Sequence, residues 1–203
     1  MEEAAARQAL VVAGVRLRAA GLIVATEGNL SLRLDRERLL ITPGGRRKDE
    51  LGPADLVVVG IARGGTERGG AEASSDLAIH RRIYSARDDV WAIAHAHPPA
   101  SLALTLAGER PVPAVLPETA TLLPGLPFVP FAAPGSPELA ESVASSLSAA
   151  AAGEQLPEAI LLERHGAIGV GRTIDEAVDR LEFVELLCRV WRDARALGWL
   201  PAR

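Results

Sequence analysis

Two histidines two positions apart are the sharpest chemical signal in this sequence. In Ala94-His95-Ala96-His97-Pro98 an extended chain puts both imidazoles on one face, because side chains alternate along a strand. Two neutral imidazoles so placed can chelate one divalent ion at ~2.0–2.1 Å from each nitrogen. The small Ala96 and the strand-ending Pro98 leave that edge open. The same spacing also suits a hydrogen-bonded pair of structural histidines, so the pair alone leaves both readings open. A third histidine, His165, stands in a turn before Gly166, a residue that permits backbone geometry closed to others. His95, His97 and His165 with one coordination position free would form the open ligand set of a catalytic zinc. His80, in the middle of a helical pattern, is read as structural.

A second group of residues suits an anion. Ser74-Ser75-Asp76 precedes a helix; serine can cap that helix, and aspartate complements its positive end. The same hydroxyls and free N–H groups also form a ready phosphate seat. Gly28-Asn29-Leu30-Ser31 and Thr42-Pro43-Gly44-Gly45 are two further turns rich in small hydroxyls and backbone donors. Donors are otherwise scarce, with Lys48, Tyr84 and Asn29 each the single residue of its type. Arg46, Arg47 and Lys48, which follow the Thr-Pro-Gly-Gly turn, could steer an anionic substrate or simply be solvated.

Positioning these groups requires strands and helices, and the hydrophobic pattern supplies them. Helices are predicted over 3–20, 76–86, 98–108, 137–152 and 173–197, from apolar residues at helical spacing and from Gly, Ser and Pro at their ends. Strands are predicted over 30–34, 39–41, 56–61, 90–97, 159–162 and 167–170. A glycine-rich loop runs on to Gly70, and the proline-rich stretch 109–137 is expected to be mostly extended or looped. Helices separated by short strands predict a layered α/β domain with a mixed sheet. Trp91 is assigned to strand and core, and Cys188 is a small core hydrophobe. Trp191 and Trp199 are assigned to packing of the last helix or a subunit interface, and Glu182 and Glu185 to solvent or ion pairs.

Composition bounds the rest. The 203 residues, 48% hydrophobic and 24% charged, suit one globular domain, and the net charge of −4 argues against a nucleic-acid partner. A single cysteine excludes an intramolecular disulfide framework and a cysteine metal cluster. No run approaches the ~18–20 apolar residues of a membrane span, and the acidic Met1-Glu2-Glu3 start is unlike a signal peptide. A cytoplasmic protein without membrane contact is expected.

In this order, the stretches around Asn29, Thr42-Pro43-Gly44-Gly45, Ser74-Ser75-Asp76 with His80 and Tyr84, His95-Ala96-His97, Pro134-Gly135-Ser136 and His165-Gly166-Ala167 resemble the class II aldolase and adducin head family. The resemblance implies a three-layer α/β/α single domain with a mixed, largely antiparallel central sheet, spanning 1–203 with its core at about 8–197. It implies a homotetramer with active sites at subunit interfaces. It also implies one zinc per chain on His95, His97 and His165, with Mn2+ or Co2+ as substitutes. The substrate phosphate would sit on Asn29, Thr42, Gly44, Ser74 and Ser75, and Asp76 would act as the catalytic carboxylate. The implied activity is that of a zinc-dependent aldolase of the L-fuculose-phosphate type, cleaving a small ketose phosphate to dihydroxyacetone phosphate and an aldehyde through a metal-stabilised ene-diolate.

The sequence departs from the aldolase pattern in two places. Position 76 is Asp where the aldolases have Glu, as in the pentulose-5-phosphate 4-epimerases of the family. The one tyrosine, Tyr84, is assigned to packing, so the proton-donor role that aldolases give to tyrosine is vacant. Glu118, in Leu116-Pro117-Glu118-Thr119, is the candidate to fill it, or else an exposed loop carboxylate. The alternatives are therefore a 4-epimerase, a methylthioribulose-1-phosphate dehydratase-like enzyme or a decarboxylase on the same metal site. A catalytically silent adducin-like module is disfavoured by the three histidines.

Overall fold

A computed structural model describes residues 2–62, 72–150 and 155–200 of the protein. Helix α1 (Glu3–Ala19) leads into strands β1 (Asn29–Arg33), β2 (Arg38–Ile41) and β3 (Val57–Gly60). Helix α2 (Leu77–Ala86), strand β4 (Ala92–Ala96), helix α3 (Pro99–Leu106) and the short helix α4 (Pro117–Leu122) follow. Strand β5 (Phe128–Val129), helix α5 (Pro137–Leu147), strands β6 (Ala159–Leu162) and β7 (Gly166–Gly171), and helix α6 (Ile174–Ala196) complete the described elements.

The seven strands form one sheet in the order β3-β2-β1-β4-β7-β6-β5. Every neighbouring pair is antiparallel except β5–β6. Alternation along the strands divides the interior into two apolar layers. Leu30, Leu32, Leu40, Ala92, Ala94, Leu161 and Ala167 face α1, α3 and α6, whose Leu10, Leu17, Leu104, Leu181 and Leu187 complete that layer. Leu39, Ile41, Val57, Ile93, Ile160, Ile168 and Val170 face α2 and α5, meeting Ile79, Ile83, Leu139 and Val143. This is the expected three-layer α/β/α fold with a mixed, largely antiparallel sheet.

Several local expectations are corrected. The 109–137 stretch contains α4, with Glu118 in its first turn; Pro117 opens that helix, where its missing N–H costs nothing. Helix α5 stops at Leu147 rather than near 152; Ser136 caps its start by accepting from Leu139 N at 3.1 Å. The predicted loop through Gly70 falls largely outside the described residues. Trp91 is 41% exposed, because it lies just before β4. Of the two alternatives for Glu185 the ion pair holds, with Arg189 at 2.9 Å, and its buried carboxylate also accepts from Ala100 N, Ser101 N and Ser101 Oγ at 3.1–3.2 Å. It thereby satisfies orphan donors at the start of α3.

Candidate metal centre and anion cavity

The three histidines come from two adjacent strand ends. His95 lies on β4, paired in register with Asn29 of β1 on one side and Ile168 of β7 on the other. His97 follows β4, and its N–H donates to Leu22 O at 3.1 Å. His165 closes the β6–β7 turn, its N–H donating to Leu162 O at 3.2 Å. Gly166, at φ +135°, makes this turn possible: a Cβ there would stand 2.2 Å from Ala96 O and 3.0 Å from the His97 ring. Gly28, at φ +70°, lets the β1 entry pass equally close, since a Cβ there would stand only 2.7 Å from His95 O. Any side chain at either glycine would push the histidine strand away.

The rings gather with centroids 4.9, 4.9 and 5.3 Å apart, and one ligand nitrogen from each lies within 4.8 Å of the other two. Their protonation fits a cation. His95 Nδ1 donates to Ala167 O at 2.9 Å, and His97 Nδ1 faces Glu27 Oε1 at 3.4 Å. Both rings, when neutral, therefore present lone pairs on Nε2, and these two atoms are 3.1 Å apart. Two ligands on one tetrahedral zinc would be separated by about 3.3 Å. Among the described residues His165 Nδ1 is buried without a hydrogen-bond partner, the kind of open lone pair or N–H that a site completed by a further group leaves. Burial, reinforced by His97, pushes the His95 imidazolium down to about 3, and burial lowers His165 as well. Neutral imidazole is the form that binds metal.

Asp76 is the carboxylate beside this cluster, with Oδ2 3.7 Å from His95 Nε2 and accepting from Asn29 Nδ2 at 2.8 Å. Burial alone would raise its carboxyl. His95 and the Asn29 amide outweigh that and hold it below the usual carboxylate range. Asp76 begins α2 without capping it; Ser74 Oγ instead accepts from Asp76 N at 3.3 Å, and Ser74 O from Leu77 N. The serine-cap expectation is thus replaced by a turn that leaves the Asp76 side chain free to face the histidines.

A cavity of about 280 Å³ opens beside these groups, lined by Asn29, Gly44, Ser74, Ser75, Asp76, His97 and His165. Of the other three site residues expected from sequence, His95 is buried behind the ring of His97, as its Nε2 contact shows, and Thr42 and Glu118 do not line the cavity. Thr42 lies behind the cavity wall, its hydroxyl accepting from Leu30 N at 3.1 Å. Glu118 is exposed on α4 and does not line the cavity. The N–H of Gly44 already donates to Glu72 O at 3.1 Å.

Glu27, not singled out by the sequence, also lines it, as does Lys48 of the basic run. Arg46 and Arg47 are drawn to the surface by Asp55 and by Asp49 and Glu50. Lys48 is only 2% exposed. Its Nζ donates to Thr26 O at 2.8 Å and Arg46 O at 2.6 Å, leaving one N–H for an anion. Burial lowers its ammonium to about 8. The signal was present in the lone lysine beside a Gly-Gly turn, but only the fold shows that it turns inward.

Among the described residues no helix is long and apolar enough to cross a membrane. Residues 8–192 match the Class II Aldolase and Adducin N-terminal domain family. The chain is 33% identical over 192 residues to a 5-methylthioribulose-1-phosphate/5-deoxyribulose-1-phosphate aldolase of Rhodospirillum rubrum, covering 93% of this chain and 81% of that one. It is 31% identical to a 3-oxo-tetronate 4-phosphate decarboxylase of Cupriavidus necator, covering 99% and 90%. The crystal structure of L-fuculose-1-phosphate aldolase from Thermus thermophilus superimposes with a TM-score of 0.80 at 30% identity, covering 97% of each chain.

Proposed function

The chain belongs to the Class II Aldolase and Adducin N-terminal domain family, and from that premise we propose that it is a zinc-dependent aldolase. Its substrate on this reading is a small ketose phosphate such as L-fuculose 1-phosphate. The products are dihydroxyacetone phosphate and an aldehyde. The observation that carries the reading is the meeting of three histidines, one carboxylate and a polar cavity at the same strand ends.

His95, His97 and His165 would hold the cation, and it would supply Lewis-acid polarisation of the substrate carbonyl. The cavity does the rest. Ser74, Ser75, Asn29 and the free N–H of Lys48 receive the phosphate, which fixes the reacting carbons relative to Asp76. In the condensation direction the ionised Asp76 takes the proton from the carbon next to the carbonyl of dihydroxyacetone phosphate. In cleavage the hydroxyl that becomes the aldehyde carbonyl gives up its proton, and Asp76, once it has taken up that proton, would deliver it to the same carbon after the carbon–carbon bond has broken. Ionised at neutral pH, the Asp76 carboxylate has a lone pair available for that proton.

On the same reading, residues 8–197 form one domain of this family, and the protein is cytoplasmic and works as a homotetramer with interface sites. Glu118, exposed and remote from the cavity of its own chain, has a catalytic role only if a neighbouring subunit's site receives it.

The similarity to the Cupriavidus decarboxylase favours one second reading. Loss of CO2 from a β-keto acid phosphate leaves the same electron pair beside the same carbonyl, so one site can serve both. A panel of ketose 1-phosphates, pentulose 5-phosphates and a 3-oxo-tetronate 4-phosphate distinguishes them. Dihydroxyacetone phosphate release is the expected outcome. CO2 release alone would replace the aldolase reading with decarboxylation, and epimer formation alone would replace it with epimerisation.

A further inference from the structure

Behind Asp76 runs a line of buried polar side chains, of which metal binding and phosphate binding account for Asn29 alone. Asn29 Nδ2 donates to Asp76 Oδ2 at 2.8 Å. Asn29 Oδ1 is 2.5 Å from His80 Nε2. His80 Nδ1 is 2.7 Å from Ser31 Oγ, and Ser31 Oγ is 2.9 Å from Tyr84 OH. All five side chains are buried, and they alternate between β1 and α2.

The direction of every bond in this line is determined by its two ends. Asn29 turns its NH2 to Asp76 and its carbonyl to His80. That carbonyl can only accept, so the His80 proton is on Nε2. Burial lowers the His80 imidazolium to about 4, so the ring is neutral and Nδ1 accepts from the Ser31 hydroxyl. The Ser31 oxygen in turn accepts from Tyr84. Each donor points toward Asp76.

An asparagine amide has two near-isosteric orientations, and only its partners decide between them. If Asp76 carried a proton, the flipped amide, with its carbonyl toward Asp76, would become a competitor. The His80 N–H, which cannot accept at that position, disfavours the flip. We propose that His80 is a positioning residue that locks the Asn29 amide with its NH2 toward Asp76 throughout the reaction, and that Ser31 and Tyr84 hold His80 in the required tautomer. This rests on the aldolase reading for its catalytic consequence, but not for its geometry. A neighbour that need not reorient when the proton moves is a preorganised one.

Nitrogen-15 NMR of the histidine-labelled, zinc-loaded protein tests the geometry without turnover, with the His80 signals assigned by their loss in His80→Gln. A protonated Nε2 and a bare Nδ1 at pH 7 are expected; the opposite tautomer, or a charged ring, overturns the proposal. A double-mutant cycle on the best ketose phosphate tests the consequence. His80→Leu should lower kcat by ~10–100-fold with Asn29 present, the scale of losing a supporting hydrogen-bond partner. In an Asn29→Ala background the same substitution should change kcat little. His80→Gln, which retains an amide donor, should recover most of the loss. Costs that simply multiply in the double variant would show that His80 acts only on folding and overturn the proposal. If His80→Leu does not fold, the His80→Gln kinetics and the tautomer decide. If no ketose phosphate turns over, the aldolase reading fails and the tautomer measurement still decides the geometry.

Discussion

Strand β1 meets a different interior on each side. Toward α1, α3 and α6 it contributes Leu30 and Leu32 to an apolar layer. Toward α2 it contributes Asn29 and Ser31 to the line that reaches Asp76. Arg33 lies on that side too, its guanidinium 4.9 Å from the Tyr84 ring centroid and donating to Val90 O at 3.2 Å. One side is held by burial alone, which is tolerant of small shifts and has no preferred direction. The other is held by bonds whose donors and acceptors must match one by one, because an unmatched buried polar atom costs about 1–3 kcal/mol. The same five residues thus anchor a scaffold and aim a reactive group. Substitutions on the two sides should therefore fail differently.

The sharpest contrast comes from the metal ligands. His165→Ala should remove bound zinc, measured by elemental analysis of the purified protein, and abolish turnover, while the melting temperature of the metal-free protein changes little. Asp76→Asn should retain the metal and lower kcat by ~10²–10⁴-fold, the range of a lost general base; full turnover would remove Asp76 from the chemistry. On the apolar side, Leu30→Ala should cost about 2–5 kcal/mol of stability in urea unfolding while kcat per folded molecule stays near wild type. A large kcat loss there would erase the distinction between the two sides.

The polar side should also carry a pH signature. His80 takes its proton near pH 4 when folded, against 6.5 for an ordinary imidazole. The unfolded chain therefore binds the proton first as pH falls. Stability is full above about pH 6.5 and declines toward pH 4, by about 3 kcal/mol from this residue at full development. Thermal melts of the metal-free protein from pH 7 to 5 should show the decline, and His80→Gln, which does not titrate, should make it shallower. The smallest effect is expected at the rim. Lys48→Met should raise KM for a sugar phosphate about 10-fold, as for one charge-assisted bond, with kcat changed less.

The histidine cluster was legible in the sequence because its signals are local: two histidines at strand spacing, and a third before a glycine. The layered fold was legible from hydrophobic periodicity for the same reason. What stayed hidden depends on residues distant in the chain. Thr42 has the composition of an anion-binding turn, yet its hydroxyl is used by the N–H of Leu30. His80 reads as an ordinary buried helix residue until β1 is laid against α2. Glu185 looks solvated on α6 until the first turn of α3 is brought over it. Lys48 and its two arginine neighbours are indistinguishable as a basic run. Only nearby acids, which occupy Arg46 and Arg47, separate the one that faces the cavity.

The central claim is that His95, His97 and His165 form a metal centre on which the chemistry depends. The most direct test follows dihydroxyacetone phosphate release from the ketose phosphate panel while the chelated protein is titrated with zinc. No release is expected from the metal-free protein, followed by a rise that saturates at one zinc per chain. Release that persists without metal, or zinc binding in His95→Ala/His165→Ala protein equal to wild type, would contradict it.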